Sequence, residues 1–97
     1  MTPELQALAR RAVACKGWRW MPGMQSEADW LPDLGSPATM GCLLALVREA
    51  WSEPLGSVYY LVTMVEEPGW FAEFGDSEEL YDTEAEALVA ALEAASL

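Results

Sequence analysis

Ten carboxylates in the second half of the chain, Glu66, Glu67, Glu73, Asp76, Glu78, Glu79, Asp82, Glu84, Glu86 and Glu93, are the side chains whose type and spacing could do chemistry. Carboxylates offer three kinds of it. Two of them can flank a reacting bond and move protons, several can converge on a hard cation, and a spaced set can grip lysine and arginine through charge-assisted hydrogen bonds. The first needs a substrate cleft, for which a chain of 97 residues has little room, and the chain contains no histidine, the commonest general base and transition-metal ligand. Neither a Ser-His-Asp nor a Cys-His centre can be built, and the chain is read as a non-enzyme. The second fails on spacing. Asp76, Glu78, Glu79 and Asp82 lack the alternating ligand positions, the intervening glycine and the closing bidentate glutamate of a calcium loop. Glycines 35, 41, 56, 69 and 75 are scattered singly, so no phosphate-cradling loop is present, and no metal or other cofactor is expected.

The third kind fits the charge pattern. All five cations, Arg10, Arg11, Lys16, Arg19 and Arg48, precede residue 49, whereas twelve of the sixteen carboxylates follow residue 48. Such a surface attracts basic bodies and repels nucleic acid over a Debye length of about 8–10 Å. The turn carboxylates are expected at one end of the hairpin and, with Glu84, Glu86 and Glu93 of the last helix, to form a continuous negative rim. Carboxylates so spaced on a rigid frame can occupy lysine and arginine pockets that ordinarily receive phosphates. A solvated acidic face that keeps the protein dispersed is the alternative, but dispersal needs a net charge of magnitude about 2–8, less than the −11 here. Direct nucleic-acid binding is not expected. Tryptophans can stack on bases, but only the small Arg10, Arg11, Lys16, Arg19 patch could hold a phosphate backbone.

The elements that must position these groups follow from periodicity. Thr2 caps a first helix with Pro3 at its opening position, Leu5, Leu8, Ala12 and Val13 share a face, and Gly17 ends it. Residues 18–34, with Pro22, Gly23 and Pro32 among Trp18, Trp20 and Trp30, read as a loop or short strands. Ser36 and Pro37 open a second helix along Met40, Leu43, Leu44, Val47 and Trp51, stopped by Pro54 and Gly56. Cys42, Ala45 and Leu46 widen its apolar arc, which predicts the central helix of the fold. Ser57 to Val65 is apolar on both alternating sets, which predicts a strand covered on both faces or central in a sheet. Residues 66–69 form a turn, and Trp70 to Phe74 returns as the antiparallel partner, with Trp70, Ala72 and Phe74 on one face. After a turn at residues 75–77, Glu79 to Tyr81 is a candidate third strand. Thr83 and Glu86 form a capping box for a last helix whose inward face is Ala85, Leu88, Val89 and Leu92.

The expected fold is therefore α+β: a single compact domain over residues 1–97, with an antiparallel two- or three-stranded meander packed against about three helices. Hydrophobic residues make up 53% of the chain, enough to form a core without staples. Cys15 and Cys42 lack the C-x-x-C spacing of a zinc or redox pair and read as buried thiols in a reducing cytosol. The longest apolar run is six residues against the ~20 of a membrane span, so no membrane partner is expected, and no signal-like segment predicts export.

Residues 18–24 (WRWMPGM), 31–34 (LPDL), 37–39 (PAT), 41–51 (GCLLALVREAW) and 83–95 (TEAEALVAALEAA) together resemble short hypothetical proteins of bacteriophages and prophages. The resemblance implies a phage accessory protein acting in the bacterial host cytoplasm, a setting in which small acidic proteins block host defences, anti-CRISPR proteins among them. The expected function is inhibition of such a defence complex, with the ten carboxylates binding a basic host protein or nucleoprotein complex at its nucleic-acid-binding surface. The alternative is a homo-oligomeric or scaffold interaction domain, a homodimer among its forms, that uses apolar and tryptophan surfaces.

Overall fold

The computed structural model describes residues 2–26, 31–62, 64–65, 67–75 and 79–95. Three helices and three strands follow one another as α1 (Pro3–Val13), α2 (Pro37–Trp51), β1 (Val58–Leu61), β2 (Gly69–Ala72), β3 (Leu80–Tyr81) and α3 (Glu84–Ala95). The strands form one antiparallel meander in the order β1-β2-β3. This is the expected α+β architecture.

Each helix starts where a hydroxyl can satisfy an orphan backbone donor. Thr2 accepts from the Leu5 N–H at 3.2 Å, Ser36 from the Thr39 N–H at 3.5 Å, and Thr83 from the Glu86 N–H at 3.1 Å. The ends are less orthodox. Helix α1 stops at Val13, short of Gly17, which is used for close approach instead: a Cβ there would lie 3.0 Å from Leu92 Cδ1 and 3.4 Å from Ala50 Cβ. Helix α2 closes on Ser52 in the left-handed region (φ 55, ψ 37). The Glu53 N–H donates to the Arg48 carbonyl and the Ser52 N–H to the Glu49 carbonyl, a Schellman closure made without glycine.

The centre of the molecule is α3, not α2. It touches α1, α2 and all three strands, and Ala85, Ala87, Leu88, Val89, Ala91 and Leu92 are all buried along it. The reason lies in side-chain size. Alanines let three neighbours approach one helix closely, whereas Ala38, Gly41, Ala45 and Ala50 of α2 face solvent, and its buried side chains are Thr39, Leu43, Leu46 and Val47. The second flank of α2 is closed by the irregular segment before it. Thr39, fully buried, accepts the Gln25 N–H at 2.9 Å and donates to the Gln25 carbonyl at 3.4 Å. Within the described part of residues 18–34 there is no helix or strand, only an isolated Ser26–Pro32 bridge.

The sheet departs from expectation in one important way. β1 is an edge strand and ends at Leu61, so Val62, Met64 and Val65 lie outside it and are 71%, 102% and 91% exposed. An apolar run on both alternating sets resembles a central strand, but sheet order is decided by partners, and β2 holds the middle here. Alternation then gives two faces. Val58, Ala72 and, beyond the strand, Phe74 pack on the helical core, and Trp51 caps that side by donating its indole N–H to the Ala91 carbonyl at 2.8 Å. The opposite face carries Tyr59, Leu61, Phe71 and Leu80, none of them part of the buried cluster.

Candidate functional site

Of the ten carboxylates, Glu66, Asp76 and Glu78 lie outside the described residues. The other seven do not form the expected continuous rim: sheet register sends them to opposite ends and α3 carries the rest, so they fall into three places. Glu67 in the β1–β2 turn, Asp82 just past β3 and Glu84 opening α3 gather at one end of the sheet, because Tyr81 pairs with Trp70 and the next residue therefore lies beside Gly69. Glu73 and Glu79 lie at the other end, where the Glu73 N–H donates to the Ser57 carbonyl at 2.8 Å. Glu73 there shares a shallow hollow with Glu53, Pro54 and Leu55. The ends are separated by about 10–13 Å, the length of a four-residue strand. Glu86 and Glu93, seven residues apart on one face of α3, form the third place, beside α1.

That third place is already occupied by a cation. Arg11 grips Glu93 with two parallel bonds, Nη2 to Oε1 at 2.6 Å and Nε to Oε2 at 3.1 Å. The hydrogen bond to Glu93 is the main cause of the raised Arg11 pKa, burial opposes it, and the fields of Glu93 and Glu86 add to it. Glu93 is thus part of an α1–α3 clasp and less open to a partner than the sheet-end groups. Arg19 forks Glu49 end-on, Nη1 to Oε1 and Nη2 to Oε2, both at 2.7 Å, and holds that carboxyl below its ordinary value chiefly through the hydrogen bonds. Arg48 donates to the Gly56 carbonyl at 2.6 Å. With Arg11 and Arg19 engaged, the exposed Arg10 and Lys16 are what the basic patch keeps for a phosphate chain.

Other chemistry finds little support. Among the described residues no three metal-ligating side chains converge. The two thiols are free and half-buried rather than buried as expected, since Cys15 lies just past the end of α1 and Cys42 at the rim of the packed face of α2. Cys15 donates to the Arg11 carbonyl at 3.3 Å and Cys42 to the Pro22 carbonyl at 3.5 Å, and burial pushes the Cys15 pKa up. A notch of about 200 Å³ between α3 and the sheet is lined by Trp51, Phe74, Tyr81 and alanines of α3, with Glu79 its one carboxylate. A wider groove of about 560 Å³ runs between Leu5, Met40, Leu44 and Glu84 and likewise contains one carboxylate. Acid–base chemistry on a glycosidic bond requires two, and two carboxylates meet in the open hollow that Glu53 and Glu73 line. Trp18 and Trp20 pack edge to face at 5.5 Å, and Trp20 is half exposed beside the neutralised Arg19.

Sequence reasoning passed over one surface. Tyr59, Tyr60, Val62, Met64 and Val65 are exposed within seven consecutive positions, and Leu55 is 89% exposed just upstream. The available signal was the absence of any charged residue from Pro54 to Val65 in a chain of net charge −11. Cross-strand ring pairs stiffen this region: Tyr60 against Trp70 and Tyr59 against Phe71, each at 5.6 Å. No helix among the described residues is long and apolar enough to cross a membrane, so this surface is not part of a spanning helix. Compared with protein-family models, curated proteins and solved structures, the chain shows no match.

Proposed function

We propose that this chain is a phage-encoded, non-catalytic protein that acts in the host cytoplasm and inhibits a defence complex by occupying a basic surface that otherwise holds nucleic acid. The observation carrying this reading is the placement of exposed carboxylates at both ends of a rigid three-stranded sheet, while the chain's own Arg11 and Arg19 are spent on Glu93 and Glu49. Two acidic groups of positions about one strand length apart can engage two sets of lysines or arginines along a channel, as phosphates do.

The test is competition. Purified nucleic-acid-handling defence complexes are incubated with labelled target DNA, and the protein is titrated in at two salt concentrations. Displacement of DNA that weakens steeply with salt is expected, as is its loss in a variant carrying Glu53→Lys, Glu67→Lys, Glu73→Lys and Asp82→Lys with an unchanged unfolding midpoint. Displacement undiminished in that variant would reject the proposal.

A second reading, a homo-oligomeric or scaffold domain, is favoured by the exposed Tyr59, Tyr60, Val62, Met64 and Val65. It predicts association that is indifferent to salt.

A further inference from the structure

We infer that the outer edge of β1 is a strand-docking site, and that its occupant is an extended apolar segment of another protein flanked by lysine or arginine. This rests on the basic-partner reading above and specifies how that partner is held.

Backbone geometry defines the edge. Because the Glu73 N–H donates to the Ser57 carbonyl, Ser57, Tyr59 and Leu61 direct their backbone groups toward β2, and Val58 and Tyr60 direct theirs outward. Among the described residues no strand pairs with those outward groups. Unpaired donors and acceptors in a row form a template for another strand, and proteins blunt such edges with short length, charge, proline or bulges. The two edges of this sheet differ in that respect. β3 is two residues long with Glu79 and Asp82 immediately outside it, whereas residues 57–65 contain neither charge nor proline and present Tyr59, Tyr60, Val62, Met64 and Val65 to solvent.

Charge then selects the occupant. If β1 paired antiparallel with a second copy of itself through its outward groups, Val58 opposite Tyr60, the Glu53 end of each copy would run against the Glu67 end of the other. Like charges would meet at both ends, a repulsive arrangement on top of the −11 each copy carries. A foreign strand with apolar side chains in its middle and cations at its ends instead meets apolar groups in the middle and carboxylates at both ends. Main-chain hydrogen bonds supply the attachment and the flanking charges the selectivity.

The probe is a synthetic strand peptide of alternating valine and threonine with a lysine pair at each end. It is compared with the same peptide ended by glutamates and with a lysine-ended peptide whose centre is broken by prolines. Binding is followed by fluorescence anisotropy, and amide hydrogen exchange is read at Val58 and Tyr60. The lysine-ended strand is expected to bind at least about tenfold tighter than either control and to protect those two amides. Tyr60→Pro, which removes an outward donor but no β1–β2 bond, is expected to weaken binding about tenfold or more. Tyr60→Ala, which loses the same ring, should weaken it far less. The exchange measurement on the unaltered protein decides the matter if Tyr60→Pro fails to fold. Equal binding of the proline-broken lysine peptide, without protection at Val58 and Tyr60, would overturn strand docking and leave the basic-partner reading standing. Failure of both lysine peptides to bind at low salt would remove both. A salt-stable dimer abolished by Tyr60→Pro would show the occupant to be a second copy and overturn the inference.

Discussion

Replacing Thr39 by valine tests how the irregular segment before α2 is held. Thr39 is fully buried, and its hydroxyl makes both bonds to Gln25, at 2.9 and 3.4 Å. A net worth of about 0.5–1.5 kcal/mol per hydrogen bond, with the longer one at the low end, gives about 1–2 kcal/mol for their loss. Valine has nearly the same shape and a similar helix propensity, so neither a cavity nor helix weakening contributes. Thr39→Ser keeps the hydroxyl and removes one methyl, at about 1 kcal/mol. The two variants are therefore separated less by total stability than by where it is lost. Urea unfolding followed by tryptophan fluorescence gives the totals, and thermal midpoints should fall by about 4–8 °C per kcal/mol. Amide exchange gives the location: the Gln25 N–H should lose protection in Thr39→Val and keep it in Thr39→Ser. A valine variant as stable as the parent, with Gln25 still protected, would refute this account of the clamp.

Two further substitutions probe the fold and its charge. Ser52→Gly relieves a left-handed conformation that costs a side chain about 1–2 kcal/mol, partly offset by glycine's greater freedom when unfolded, so denaturant unfolding should show a gain of up to about 1 kcal/mol. Because Arg19 lowers the Glu49 pKa, the pair's favourable contribution is present above the unfolded carboxyl value and fades as pH falls through the folded one. In Arg19→Ala the carbon-13 titration midpoint of Glu49 should move up to the ordinary range, and an unmoved midpoint would discount the pairing.

The helices and the meander were legible because their signals are local. Thr2, Ser36 and Thr83 each satisfy a donor three residues on, and apolar spacing marks the buried faces of α1 and α3. What stayed hidden depends on partners distant in sequence. Leu43 and Leu88 are equally buried, and nothing local tells which of their helices has neighbours on every side. Likewise Tyr59 and Tyr60 have the composition of a central strand, and only the return of β2 and the brevity of β3 put them at an edge. Among the carboxylates, Glu67 and Asp82 are fifteen residues apart yet come to one end of the sheet through pairing register, while the Arg11–Glu93 clasp joins residues 82 apart.

The place of α3 in the chain bears on which fragments can bury their apolar side chains. Because α3 is the last of the six elements and the one on which the others are assembled, a growing chain that has reached Tyr81 still has Leu8, Leu43 and Phe74 without the helix that encloses them. A chain truncated before residue 84 leaves those side chains without their cover, and limited proteolysis should cut it faster than the full chain.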